Sequence, residues 1–195
     1  LNNELGLPLS VIGVDSPGRS PLGWLKVALK GYWQLWFGRF PQILVLEMGV
    51  DRPGDMDYLL SIARPDISVV TSIGIAHYEF FKSEDAVLQE KGKIVKAVAS
   101  NGAVVLNGDN SGSASLKDWT DAKVINYGFS DTVDVRLQII SEDFVPPGES
   151  ELRVHTSTQD LSVTVPAVGV PHLASCGAAI AVGLYLGCLL YTSDA

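Results

Sequence analysis

Ile43–Met48 (ILVLEM) is a nearly continuous apolar run of strand length, and Ile67–Ile73 (ISVVTSI) and Ala103–Leu106 (AVVL) read as a second buried strand and a third strand. A strand with one face in water alternates apolar and polar residues. A strand covered on both faces does not, and a near-continuous apolar run of strand length is what a parallel sheet between helices demands. Helix signals lie between the runs. Pro53 suits the first turn of a helix over Asp55–Ala63, because that turn does not need its N–H. Ser83 reads as the N-cap of a long helix to Ser100, with Glu84 and Asp85 in its first turn and Asn101-Gly102 as its stop. Lys123–Tyr127 supplies a fourth strand. Strand and helix therefore alternate, and the expected fold is α/β, a mainly parallel sheet flanked by helices. Ahead of this pattern, Leu7–Val14 reads as a short strand and Leu22–Phe40 as a helix.

The period changes near Asp131. "DVRLQIISEDF", "ESELRVHTSTQ" and "LSVTVPAVG" alternate with a period of two and have no helix between them. They read as antiparallel strands, with "VPPGES" as a turn. Pro171–Gly187 then reads as a helix of small residues. The expected organisation is one domain over 1–187: a parallel α/β part over 1–130, a smaller antiparallel β subsheet over 131–170 and a helix over 171–187. Residues 188–195 form an atypical tail.

The net charge of -8 argues against a general nucleic-acid binder, which needs clustered Lys and Arg. A nucleotide site remains open, since such a site works with local charge and metal ions. The two cysteines, Cys176 and Cys188, have neither metal-ligand spacing nor a disulfide framework, which fits a reducing, cytoplasmic setting. Leu1–Pro8 lacks the basic start and apolar core of a signal peptide, and the chain begins at Leu, as a fragment would.

Several polar residues fall at strand ends or on the helix that follows. Glu47 ends the first apolar run. His77 comes just after the second. Lys91 lies on the long helix, and Asn107 and Asp109 follow the third run. Ligands of open parallel sheets bind outside the carboxyl ends of the strands, so these residues can share one crevice lined by oxygen and nitrogen. Each also has a plainer reading: a solvated strand end, a packed or surface histidine, a surface lysine, a turn.

The ordered set "NNELGLPLS", "LVLEMGVDRPGDMDYLLSIARPD", "VVTSIGIAHYEFFKSED", "EKGKI" and "VLNGDN" resembles the central ATP-binding domain of the Mur ligases, from Asn2 to about Gly187. The forms "NNELGLP" and "EMG" are those of the branch that joins D-alanyl-D-alanine to UDP-N-acetylmuramoyl-tripeptide. The resemblance implies ATP and Mg2+ as cofactors. It implies Glu47 as a ligand of one magnesium ion and His77 as a ligand of a second. Lys91 would be carbamylated by CO2, becoming an anion that supports the second metal, so Lys91 and His77 carry the catalytic roles. Asn2, Asn3, Asn107 and His172 would lie near the nucleotide or substrate. The implied reaction runs through an acyl phosphate. The P-loop-like core of the family begins with a strand and a Gly-Lys-Thr or Gly-Lys-Ser loop, which would precede Leu1. A further C-terminal domain would follow, and the chain alone is expected to be inert.

The match has departures. "TSIGIAH" replaces the family's "TNIGPAH", with Ser72 and Ile75 changed. "GVPHLASC" replaces "GRHNVxN", so Cys176 stands where an adenine-contacting Asn is usual. Other readings are a related ATP-dependent amide ligase of the folylpolyglutamate or cyanophycin type, and a non-catalytic binding relative.

The segment "PLGWLKVALKGYWQLWFGRF" holds three of the four tryptophans. Lys26, Lys30 and Gln34 form one narrow polar stripe, and Leu22, Leu25, Leu29, Trp33, Trp36 and Phe37 fill a wide apolar face. Two readings stay open. In one, the helix packs on the sheet with its lysines in water. In the other, residues 22–40 make peripheral contact with a membrane at headgroup level. The stretch is too short and too charged to span a bilayer.

Overall fold

The computed structural model describes residues 5–38, 41–74, 80–81 and 83–188. Six strands form one sheet in sequence order: β1 (Ile67–Val70), β2 (Ala103–Asn107), β3 (Lys123–Gly128), β4 (Val135–Asp143), β5 (Glu149–His155) and β6 (Asp160–Val165). The pairings β1–β2, β2–β3 and β3–β4 are parallel, and β4–β5 and β5–β6 are antiparallel. The antiparallel strands thus extend the parallel sheet. A mainly parallel α/β sheet with an antiparallel part is the fold expected from the sequence.

The unbroken apolar run of β2 has the predicted cause. Val104 and Leu106 of β2 face one layer, built from α4 (Glu84–Lys96) and the 3-10 turn Ser115–Trp119. Val105 faces the other, where α6 (Val170–Tyr185) lies across β2 and β3 through Ala178 and Ala181. All of Ala103–Leu106 is inaccessible to water. The small residues of α6 let it approach closely. A Cβ on Gly177 would sit 2.4 Å from a methyl of Leu137 and 3.2 Å from the Tyr127 ring. The start signal of α4 holds: Ser83 accepts from the Ala86 N–H at 3.2 Å, with Glu84 and Asp85 in the first turn; the helix ends at Lys96, short of the expected Ser100, so Asn101-Gly102 is not its stop.

Two N-terminal expectations are corrected. Leu7–Val14 is not a strand: Gly6–Ile12 is a helix, α1. Gly13 ends it at φ 68°, its N–H meets the Ser10 carbonyl, and the Val14 N–H reaches back to the Leu9 carbonyl. This paired closure needs a left-handed residue, which glycine supplies without strain. Ile43–Met48 joins no ladder among the described residues. It runs extended over the α1 core and α3 (Asp55–Ile62), with Leu46 and Met48 inward against Leu7, Val50, Met56 and Leu59. Ile43 and Val45 remain exposed. The run is covered on one side only, and without a neighbouring strand its apolar character does not make it a strand.

The aromatic segment forms α2 (Pro21–Phe37), N-capped by Ser20, which accepts from the Gly23 N–H. Among the described residues it contributes nothing to the buried clusters on the sheet. It meets α1, with the Gly31 position close to the Ile12 side chain, and buries none of its own residues.

Candidate functional site

The carboxyl ends of β1 and β2 are held together by a set of short polar side chains. The Asn107 side chain donates to the Thr71 carbonyl at 2.9 Å and accepts from the Asp109 N–H at 3.0 Å. The buried hydroxyl of Ser113 donates to the Val70 carbonyl at 2.7 Å and accepts from the Asn107 N–H at 3.0 Å. Asn110 accepts from the Ile73 and Ser113 N–H groups and donates to the Ile73 carbonyl. These bonds satisfy backbone groups that the parallel ladder leaves open where the strands end. Asp109 caps the end of β3 by accepting from the Phe129 and Ser130 N–H groups. Asn107 therefore shapes the rim of the crevice with both ends of its amide.

Lys91 reaches the same rim from α4. Its Nζ lies 3.4 Å from the Ser72 carbonyl, one residue from the carbonyl that Asn107 holds. The side chain is half-buried, and burial pushes its pKa below the ordinary lysine value. No carboxylate contacts it among the described residues. Lys93, two positions on, is the contrast. It is paired with Asp57 at 2.6 Å and with Glu90 at 2.7 Å, and hydrogen bonds to these two carboxylates raise its pKa. The two lysines share one helix and differ in their partners. Desolvation without a counter-charge favours a neutral amine at Lys91.

Glu47 is exposed on the extended segment between inward-facing Leu46 and Met48. The loop after it is fixed by two acids. Asp55 accepts from the Asp51 and Arg52 N–H groups at 2.9 and 2.8 Å. Glu90, only 4% exposed, accepts from the Gly54 and Met56 N–H groups at 3.0 and 2.9 Å. Arg52 lies over the Phe80 ring at 4.8 Å. Glu90 and Lys91 are consecutive on α4, so one turn of that helix anchors the loop following Glu47 and also carries the lysine to the rim.

His77, Asn2 and Asn3 lie outside the described residues. His172 is exposed in the first turn of α6, and Cys176 packs beside the Leu152–Val165–Leu173 cluster. Among the described residues no three His, Cys, Asp or Glu side chains cluster as a metal site. Glu90, Asn110 and Ser113 are structural residues of this region that sequence reasoning missed. Only Asn110 carries a local signal, as the N-cap three residues before Ser113.

The magnesium ions implied for the site can be tested against these residues. Magnesium takes oxygen ligands and keeps several waters. Glu47 is an exposed acid. An ammonium at Lys91 would oppose a cation, whereas a carbamate would supply two oxygens. By donor type, an acid at Glu47 and a carbamate at Lys91 would both be oxygen ligands of the kind magnesium takes.

A family model described as "Mur ligase middle domain" matches residues 38–183. The UDP-N-acetylmuramoyl-tripeptide--D-alanyl-D-alanine ligase of Mycobacterium tuberculosis is 32% identical over 180 residues, 92% of this chain and 31% of that protein. The enzyme of the same name from Bacillus subtilis is 27% identical over 188 residues, 95% of this chain and 34% of that protein. The chain thus spans about a third of the length of these relatives. Among solved structures, MurF from Acinetobacter baumannii superposes with a TM-score of 0.68 at 21% identity, over 94% of this chain and 40% of that one. MurF from Thermotoga maritima in complex with ADP gives 0.68 at 21%, over 95% and 43%. The strand order, the flanking helices and the match over 38–183 lead to one conclusion: this chain belongs to the Mur ligase family and carries its middle domain.

Proposed function

We propose that the complete protein is the ATP-dependent ligase that adds D-alanyl-D-alanine to UDP-N-acetylmuramoyl-tripeptide, in the cytoplasm, as a step of peptidoglycan synthesis. The observation that carries this reading is the 32% identity over 92% of the chain to a ligase of that name. The tripeptide carboxylate attacks the γ-phosphorus of ATP, the bond to the β–γ bridging oxygen breaks, and ADP leaves. The amine of D-alanyl-D-alanine then attacks the acyl phosphate carbonyl, loses a proton, and inorganic phosphate departs. The protein's share is to position reactants and neutralise charge.

Glu47 and a carbamate on Lys91 are the proposed oxygen ligands for Mg2+, with His77 as the nitrogen ligand. Bound Mg2+ supplies charge neutralisation on the phosphates. Lys91 contributes through its burial, which keeps the amine available to CO2. Glu90 acts as a positioning residue, since it holds the loop that follows Glu47. Asn107 supports the rim through Thr71. Asn2, Asn3 and His172 are proposed near the nucleotide.

The test is phosphate release by the complete protein with ATP, Mg2+, the UDP-linked tripeptide and D-alanyl-D-alanine, each omitted in turn. Dependence on all four supports the assignment. Release that requires a different acid and amine moves the substrate within the family. No release with any pair, from folded protein, refutes the enzymatic reading.

A further inference from the structure

Helix α2 is mounted with its apolar side outward. Its partly covered positions are Gly23, Val27, Gly31 and Gln34, a line along the side turned to α1. Lys30 lies on that side too and donates to the Gly13 carbonyl at 2.8 Å. Trp24 lies beside the seat and donates through its indole to the Gly18 carbonyl at 3.0 Å. Lys30 and Gln34 of the polar stripe thus lie toward the body of the protein, while Lys26 stays exposed at the margin of the apolar side. On the opposite side stand Leu25, Leu29, Tyr32 and Trp36, spaced as one ridge of a helix, with Leu22, Trp33 and Leu35 beside them. Leu29, Tyr32 and Trp36 are 61%, 66% and 70% exposed. Tyr32 meets Trp36 and Trp33 meets Phe37 in tilted ring pairs, so the exposed aromatics form one patch. A surface helix in water normally carries the reverse arrangement. A contiguous apolar patch of this kind marks an interaction surface.

Charge selects the occupant. Residues 16–46 contain Arg19, Lys26, Lys30 and Arg39 and no acid, while the rest of the chain holds 10 basic and 22 acidic residues. The apolar patch therefore sits in the cationic part of an acidic protein, which suits an anionic surface. Trp and Tyr with Lys at the margin are the side chains that settle at headgroup depth. The helix does not cross a membrane: no described helix is long and apolar enough. It also lies outside residues 38–183, the stretch matched by the middle-domain model. We infer that α2 is a peripheral anchor that lays its Leu25–Leu29–Tyr32–Trp36 ridge into the headgroup region of an anionic lipid bilayer.

The experiment is co-flotation of the complete protein with vesicles of phosphatidylcholine alone or mixed with phosphatidylglycerol. The tryptophan emission is followed in parallel, since α2 holds Trp24, Trp33 and Trp36, and its change is read against the Trp33→Ser/Trp36→Ser variant. Binding should be at least about tenfold stronger on the anionic vesicles, should weaken with salt, and should blue-shift the emission. The double variant Trp33→Ser/Trp36→Ser should lose binding by about tenfold or more with phosphate release in solution unchanged. Lys26→Gln should lower the preference for anionic lipid. Equal binding by the serine variant, or none by the parent protein, overturns the proposal. So does a lipid-free dimer that the serine substitutions dissociate, or shielding of the α2 tryptophans from acrylamide in the lipid-free monomer, which would mean that another part of the chain covers the ridge.

Discussion

Replacing Glu90 tests how the loop after Glu47 is held. In Glu90→Ala three interactions end together. The Met56 N–H is buried and loses its acceptor, which costs roughly 1–3 kcal/mol. The Gly54 N–H is only partly buried and can recruit water, so its loss adds about 1 kcal/mol or less. Lys93 is 31% exposed and keeps Asp57, so losing its second carboxylate adds under about 1 kcal/mol. The total is about 3 kcal/mol, or roughly two decades in an opening equilibrium. Glu90→Gln keeps an oxygen for both N–H groups and gives up the charge and the Lys93 contact, so it should cost about 1 kcal/mol. Amide hydrogen exchange at Met56 reads this locally and does not depend on global two-state unfolding. Exchange should accelerate about a hundredfold in Glu90→Ala and less than about tenfold in Glu90→Gln. Exchange within about threefold of the parent in Glu90→Ala would refute the buried-acceptor reasoning, and equal effects of the two variants would show that the charge decides.

Lys91 should acquire a carbamate in bicarbonate buffer, detectable by alkyl trapping and mass spectrometry. Its lowered pKa means that the neutral amine is populated at a lower pH than for ordinary lysines, so trapping should begin there and grow as pH rises; labelling only in the range of the surface lysines would contradict this. Tyr127 is fully buried, its hydroxyl has no partner among the described residues, and burial, then the nearby Asp109 charge, pushes its pKa up to about 12. That group is protonated in the fold while the unfolded chain ionises near pH 10. Its contribution is therefore complete below about pH 10 and lost between about 10 and 12. Tyr127→Phe should be neutral or stabilising by up to about 1 kcal/mol at pH 7 and should flatten that alkaline loss in a urea titration. Gly92→Ala would place a Cβ 2.5 Å from the Trp119 ring and 2.9 Å from Leu116, so α4 must move off the 3-10 turn. We expect a loss of about 1–3 kcal/mol by urea unfolding, and a gain would show that this contact is loose.

The sequence alone determined what depends on neighbours along the chain. The unbroken apolar run at 103–106 required cover on two faces, and the period-two pattern after Asp131 required antiparallel pairing. Ser83, Glu84 and Asp85 announced the start of α4 because a helix start is satisfied within its own first turn. The motif order around Glu47, Lys91 and Asn107 pointed to the family for the same reason: its residues lie in short, contiguous words.

Only the tertiary structure decided what depends on partners distant in sequence. Glu90 reads as one more surface acid of a helix until the Gly54 and Met56 N–H groups, 36 and 34 residues away, are laid against it. Lys91 and Lys93 are the same residue type on the same helix; contact with Asp57 and Glu90, or the lack of a carboxylate, separates them. Ile43–Met48 has the composition of a strand, yet backbone pairing is supplied from outside the segment. Residues 7–12 coil instead because Gly13 closes a helix there. The amphipathic pattern of α2 was legible from its residues, but its direction was not. A stripe has no inside until the fold provides one, and here the fold took the Lys30 side and left the aromatic side to the solvent.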